Sequence, residues 1–315
     1  TPTSFYKIEA DSGFKSNWKA DESSMYYESP LLYDQTGFKM QKDASQLKAQ
    51  LAQDNRLLVE NVTNKIEKKK APLLFNLAEL QAECSKLFKI SPDKTLEIAQ
   101  ALYEAKLTTY PRTDARVLSA AVADVIEDNL EGLTKGQYHA DIAEKIILQN
   151  MYDGLSKSKY TDDSKITDHY AIIPTGETDV SRLNDLQLSV YKLITNRFLS
   201  IFYPPAEYNK TEILLKHSNG EHFYASEKIL EKTGWMEITG TNDEKTASIH
   251  GIHKGDILNT EFSIKNGQTS PPTRYTSGSI ILAMENAGKL IEDEDLRAEI
   301  QGKGIGTSAT RADTI

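Results

Sequence analysis

The residues best suited to chemistry lie together in Leu107-Thr108-Thr109-Tyr110-Pro111-Arg112-Thr113-Asp114-Ala115-Arg116, where a phenol is followed closely by two guanidiniums and a carboxylate. A phenol ionises only near pH 10, roughly, and attacks poorly at neutral pH without a cation or proton acceptor beside it. Arg112 supplies a planar guanidinium that can hold two phosphate oxygens at once, orienting a phosphodiester and stabilising the charge that builds on it. Arg116 adds a second cation, and Asp114 can orient an arginine or bond backbone groups. The chemistry these groups suit is attack by Tyr110 on a phosphodiester. Taken alone, a Tyr-Pro-Arg triplet is more often a half-buried aromatic at a helix end followed by a surface turn.

Two further stretches carry polar groups of use to such a reaction. His169, within Asp168-His169-Tyr170-Ala171-Ile172-Ile173-Pro174-Thr175, can bond a phosphate, although a lone histidine is more often a satisfied surface or core residue. Gly302 to Arg311 combines glycines with Thr307, Ser308, Thr310 and Arg311, which lets amides, hydroxyls and one guanidinium approach phosphates closely. By itself such a run is usually a turn before a helix. The acidic residues from Glu292 to Asp295, with Glu299, read as a solvated helix face rather than a metal site.

The elements that must position these groups follow from periodicity and caps. Ser91-Pro92-Asp93 is a strong helix start, with Ser as N-cap and Pro at the first helical position. That helix should run to about Lys106, and Pro111 then forces Tyr110 into an extended backbone. Leu77, Leu80, Cys84 and Leu87 fall on one helical stripe, which makes Cys84 a core residue. Further helices are predicted over 117–130, 137–151 and 184–202, with Gly132 available to end the first, and 153–167 reads as an exposed loop. Residues 4–10 and 56–66 read as strands with a helix at 45–54 between them, and Glu67 to Pro72 as a solvated linker. Runs at 207–216 and 221–230 flank Ser218-Asn219-Gly220, a hairpin signal.

The pattern is therefore β, helical, then β again, with Pro271-Pro272 opening another helical piece. It predicts an α+β multidomain fold: a discontinuous β-rich domain from 1–71 and 203–270, a mainly helical domain inserted at 72–202, and the start of a third helical domain at 271–315. The 315 residues suffice for two or three cores. Charged residues at 26% and hydrophobic ones at 39% describe an ordinary globular chain, and no apolar run is long enough to span a bilayer. Cys84 is the only cysteine, which excludes an intrachain disulfide and fits a reducing cytoplasm. A net charge of −9 weighs mildly against nucleic acid, but a few cations held in one groove can outweigh acidic outer faces.

The ten-residue string around Tyr110 resembles the strand-cutting segment of type IA DNA topoisomerases, especially their topoisomerase III branch. Ala71-Pro72-Leu73-Leu74-Phe75-Asn76-Leu77 with Lys94-Thr95-Leu96-Glu97-Ile98-Ala99-Gln100, the His169 stretch, and Pro271-Pro272-Thr273-Arg274-Tyr275-Thr276 through Gly304 to Ala312 resemble the same family in the same order. Tyr170, Ala115 and Ser308 depart from its usual residues. The resemblance implies that the β-rich domain is a gate, that Tyr110 is the nucleophile of a 5′-phosphotyrosyl intermediate, and that Arg112 and His169 are its catalytic partners. It implies Asp114, Arg116, Thr310 and Arg311 as DNA-binding residues, single-stranded DNA as partner, and no ATP or other nucleotide cofactor. It also implies that Mg2+ and the general acid belong to a Toprim domain ahead of this region, so that the chain is a central fragment, inactive alone, with no metal site of its own. A monomeric, cytoplasmic, nucleoid-associated protein is expected. A tyrosine recombinase-like strand transferase and a non-catalytic DNA-binding module are the competing readings.

Overall fold

A computed structural model describes residues 2–240, 249, 251–290, 304–308 and 310–315. The chain forms two compact units, Thr1–Lys69 with Glu207–Thr233 and Asn242–Thr273, and Lys70–Ala206 with Gly234–Thr241 and Arg274–Ile315. The acidic run 292–295 and Glu299 lie outside the described residues.

The first unit is built on a nine-stranded sheet. Its strands are β1 (Ser4–Asp11), β2 (Lys15–Lys19), β3 (Leu32–Asp34), β4 (Gly37–Phe38), β5 (Arg56–Lys69), β6 (Ala206–His217), β7 (His222–Lys232), β8 (Ile257–Asn259) and β9 (Glu261–Gln268), and the helix α1 (Gln41–Leu51) precedes β5. The order is β3-β4-β1-β2-β7-β6-β5-β8, with β9 antiparallel to the whole of β1. Trp18, Phe38, Leu47, Leu51, Leu57, Val59, Leu215 and Phe223 fill its core and are fully buried. Each such side chain contributes about 1.5–3 kcal/mol. The β6–β7 hairpin turns at Gly220, whose φ of +95° suits glycine.

Residues 67–69, expected in a linker, instead continue β5 to Lys69. Ion pairs hold them: Glu67 lies 2.6 Å from Lys228 Nζ, and Lys68 lies 3.1 Å from Glu207. The charge run that looked like solvated coil is a strand whose charges have partners on neighbouring strands.

The second unit contains α2 (Leu77–Phe88), α3 (Pro92–Glu104), α4 (Ala120–Asp124), α5 (Ile126–Thr134), α6 (Ala140–Leu148), α7 (Asp185–Ser200), α8 (Met236–Thr239) and α9 (Ser277–Glu285). Its core joins Phe75, Leu80, Cys84, Ile98, Leu102, Leu107, Ile172, Val190 and Ile194. Cys84 is buried there, and burial pushes its thiol up to about 12, as suits a packing residue. Asn184 caps α7 reciprocally with Gln187.

The predicted helix over 117–130 starts later and breaks. Val117 and Leu118 are buried and extended, with the Val117 carbonyl accepting from the Ala171 amide at 3.0 Å, so Ser119 becomes the N-cap and the helix divides at Val125. Gly132 lies inside α5 rather than ending it. A Cβ there would sit 2.4 Å from the Gly176 carbonyl oxygen, so close approach and not chain reversal requires the glycine. The 153–167 segment is irregular, with two 3-10 turns, and Tyr160 anchors it by donating to the Ala71 carbonyl at 2.9 Å.

Candidate active site

The site is assembled around the exit of α3. Ser91 accepts from the Lys94 amide at 3.2 Å, as the sequence predicts for an N-cap, and α3 ends at Glu104, with Lys106 in the left-handed region at φ +62°. The chain then runs extended beside Ala171 to Thr175. The Thr109 amide donates to the Ile173 carbonyl at 2.9 Å and the Thr175 amide to the Leu107 carbonyl at 3.1 Å. Thr109 Oγ1 donates to the Ala171 carbonyl and accepts from the Ile173 amide, both at 3.0 Å. The tyrosine and histidine motifs, distant in sequence, are thereby fixed in register.

That register stacks chemistry on chemistry. The Tyr110 ring centroid is 4.5 Å from that of His169, and Tyr103 meets Tyr110 edge-on at 5.3 Å. On the far side of Pro111, Thr113 Oγ1 donates to the His169 carbonyl at 2.8 Å, a second tie between the same two segments. Tyr110, His169, Tyr103, Lys106, Tyr170 and Thr175 line one side or another of an open cleft of about 560 Å³. Tyr110 is half-buried and His169 exposed, so the nucleophile candidate is both held and accessible. Burial raises the Tyr170 phenol above its usual value.

The other residues expected at the site are placed differently. Arg112 is exposed, is not among the residues that line the cleft, and has no ion-pair partner among the described residues. Arg116 is engaged internally: it pairs with Glu79 and donates from Nε to the Leu74 carbonyl at 3.2 Å. Arg311 is 4% exposed, with Nη1 3.0 Å from Asp114 Oδ1 and 3.7 Å from Glu285 Oε1. Thr310 is exposed and its Oγ1 accepts from the Thr307 amide at 3.0 Å. Asp114 is exposed at its side chain apart from the Arg311 contact, while its carbonyl accepts from Asn76 Nδ2 at 3.0 Å.

Several residues of the site were not singled out by sequence reasoning. Tyr103, on the last turn of α3, and Lys106, in the turn that follows it, lie just before the tyrosine motif, and that place was a usable signal. Asn76 precedes an amphipathic helix and its side chain caps α2, accepting from the Glu79 amide at 2.9 Å, which an N-cap search finds. Glu285 carried no local signal. Burial raises its carboxyl above the ordinary carboxylate range, against the pull of Arg311 and Asn76.

Among the described residues no group of three or more His, Cys, Asp or Glu side chains is arranged to hold a metal ion. Nor is any helix among them long and apolar enough to cross a membrane.

Comparison with known proteins places the chain in a family. A family model described as DNA topoisomerase matches residues 1–315. DNA topoisomerase 3 of Bacillus subtilis is 33% identical over 330 aligned positions, covering 100% of this chain and 43% of the relative. DNA topoisomerase 3 of Bacillus licheniformis is 36% identical over 258 positions, covering 78% of this chain and 35% of that protein. The full-length topoisomerase I of Thermotoga maritima shares the fold with a TM-score of 0.67 at 21% identity, over 100% of this chain and 46% of the other. The chain spans less than half the length of these relatives. With a match along its whole length and the tyrosine and histidine motifs brought together in one cleft, this chain belongs to the type IA DNA topoisomerase family, on its topoisomerase III branch.

Proposed function

We propose that Tyr110 is the nucleophile with which the complete enzyme transiently cuts single-stranded DNA. The observation that carries this reading is the Tyr110 ring lying 4.5 Å from that of His169 in an open cleft. The phenolic oxygen attacks the scissile phosphorus, forming a new phosphorus–oxygen bond. The bond to the 3′ oxygen breaks, the phenol gives up its proton, and the departing oxygen takes one up. The product is a 5′-phosphotyrosyl link with a free 3′-hydroxyl. Because the link keeps a phosphoester, attack by that hydroxyl reseals the strand without ATP.

His169 and Arg112 stabilise the charge that accumulates on the phosphate as five-coordinate phosphorus is approached. Arg112 is suited to this by an exposed guanidinium with no ion pair among the described residues to break, and Tyr103 by packing edge-on to keep the phenol ring aimed. Thr310, being exposed, is assigned to contact with the strand. Among the described residues no set of side chains fits a magnesium ion; the ion that family resemblance implies is assigned to a Toprim domain, and no step above passes through it. The discontinuous β-rich domain is assigned the gate through which a second strand passes. A monomeric protein of the cytoplasm, associated with the nucleoid, completes the reading.

The test is covalent capture. The complete protein, given an end-labelled single-stranded oligonucleotide and quenched with denaturant, should yield a protein–DNA adduct that disappears in Tyr110→Phe. An adduct that survives the substitution, or none from the unaltered protein, sinks the assignment and favours a binding module.

A further inference from the structure

We propose that Arg311 and Glu285 are positioning residues for the cleavage site, acting through Asp114, and that Arg311 does not itself hold a DNA phosphate. The inference rests on Tyr110 being the strand-cutting nucleophile. An arginine in a nucleic-acid-binding protein is ordinarily assigned to phosphate, and exposure and free N–H groups are what that role requires.

Arg311 lacks the exposure. Its side chain is 5% exposed, with Nη1 3.0 Å from Asp114 Oδ1 and 3.7 Å from Glu285 Oε1. Nε donates to the Ile305 carbonyl at 3.2 Å. For the guanidinium to reach a phosphate it would have to abandon both carboxylates, and Glu285 would be left half-buried without its cation, an expensive state. Asn76, 1% exposed, closes the arrangement from the other side: Nδ2 donates to the Asp114 carbonyl at 3.0 Å and to Glu285 Oε1 at 2.7 Å. Asp114 is therefore held at its carbonyl and at its carboxylate by one linked set of groups.

The grip is transmitted to the reacting groups over one residue. Thr113 precedes Asp114, its carbonyl accepts from the Leu77 amide at 3.1 Å, and its hydroxyl donates to the His169 carbonyl at 2.8 Å. Moving Asp114 therefore moves the segment that joins Tyr110 to His169. Misplacement of reacting groups by about 1 Å can cost on the order of 100-fold in rate.

Salt dependence separates a positioning arginine from a phosphate contact. With the complete protein, the affinity for a labelled single-stranded oligonucleotide is measured against salt concentration, and the rate of adduct formation at saturating oligonucleotide is measured alongside. Each phosphate contact adds about 0.7 to the slope of log affinity against log salt for a single strand. Arg311→Gln should leave the slope unchanged and slow adduct formation by roughly 10- to 100-fold. Glu285→Gln, nearly isosteric and leaving the guanidinium in place, should also slow the adduct without altering the slope, which guards against an Arg311 variant that merely misfolds. A slope reduced by about 0.7 in Arg311→Gln, or tighter binding once Glu285 no longer competes for the arginine, overturns the proposal. So do unaltered rates in both variants, with the Tyr110 assignment left standing. An unaltered protein that forms no Tyr110-dependent adduct removes the functional reading first, and the positioning role with it.

Discussion

In the first unit His222 is 7% exposed, with Nδ1 2.7 Å from Asp21 Oδ2 and Nε2 3.2 Å from Glu60 Oε2, the latter without the alignment of a hydrogen bond. In the second, His169 is exposed and its ring lies against Tyr110. The contrast extends to their neighbours. Glu221, 1% exposed, accepts from Trp18 Nε1 at 2.6 Å, Ser24 Oγ at 2.7 Å and the Met25 amide at 3.2 Å. Asp21 also accepts from Tyr224 at 2.6 Å. Asp21, Glu221, Trp18, Ser24 and Tyr224 are spent on one another or on His222, and they brace a sheet. Among the described residues no side-chain hydrogen bond engages Tyr110, His169 or Arg112. Buried charge with partners marks architecture, whereas accessible groups with capacity left over mark chemistry.

The contrast is most directly attacked by Glu221→Ala. It leaves the Trp18 N–H and the Ser24 hydroxyl buried without an acceptor, and should lower unfolding stability by about 3 kcal/mol in urea titrations. Adduct formation measured well below the unfolding midpoint should be retained; a Glu221 variant that is fully stable but unable to cut DNA would reverse the roles assigned to the two units. His169→Ala should do the opposite. Removing a donor to the developing charge should slow adduct formation by roughly 100-fold. Stability should change by no more than about 0.5 kcal/mol, because the side chain is exposed.

Gly132→Ala probes the scaffold beneath the cleft, since Gly176 directly follows Thr175. The new methyl meets the Gly176 backbone at 2.4 to 2.7 Å. Backbone cannot swing away as a side chain can, so a loss of about 2 kcal/mol is expected by thermal or urea unfolding. A neutral outcome would mean that this approach is looser than the geometry indicates.

The smallest effect is in the acid limb of stability. Burial alone would raise the Asp21 carboxyl, but hydrogen bonds from Ser23, Tyr224 and His222 outweigh it and hold the group well below the usual carboxylate range. A carboxyl depressed in the folded state contributes fully above its unfolded pKa of about 3.9 and loses that contribution as pH falls below it. Between about pH 5 and pH 3 the unaltered protein should therefore lose more stability than Asp21→Asn does. Parallel curves for the two proteins would show that Asp21 is not a member of the brace.

Much of the site was legible because its signals are short-ranged. Ser91-Pro92 announces α3 through the needs of its first unpaired amides, and Pro111 stops the chain from continuing as helix. The hairpin turn at Gly220 and the capping of α7 by Asn184 are read the same way. Less legible were residues whose conformation is decided by a distant partner. Lys68 looks like linker until Glu207 of another strand is beside it, and Val117 and Leu118 look helical until Ala171 and Thr161 pair with them. Gly132 looks like a helix stop because nothing in its own neighbourhood mentions Gly176.

By itself, then, the sequence determined which phenol is the candidate nucleophile, which helix precedes it, and that Leu77, Leu80 and Cys84 lie in a core, although Leu87 of the same stripe is exposed, since capping, proline sterics and periodicity operate within a turn or two. Only the tertiary structure decided that His169 comes to the Tyr110 ring, and that Arg311 closes on Asp114 and Glu285. Those pairings join residues far apart in the chain. They are selected by burial and by the cost of leaving charge unpaired, which arise only once the elements are packed.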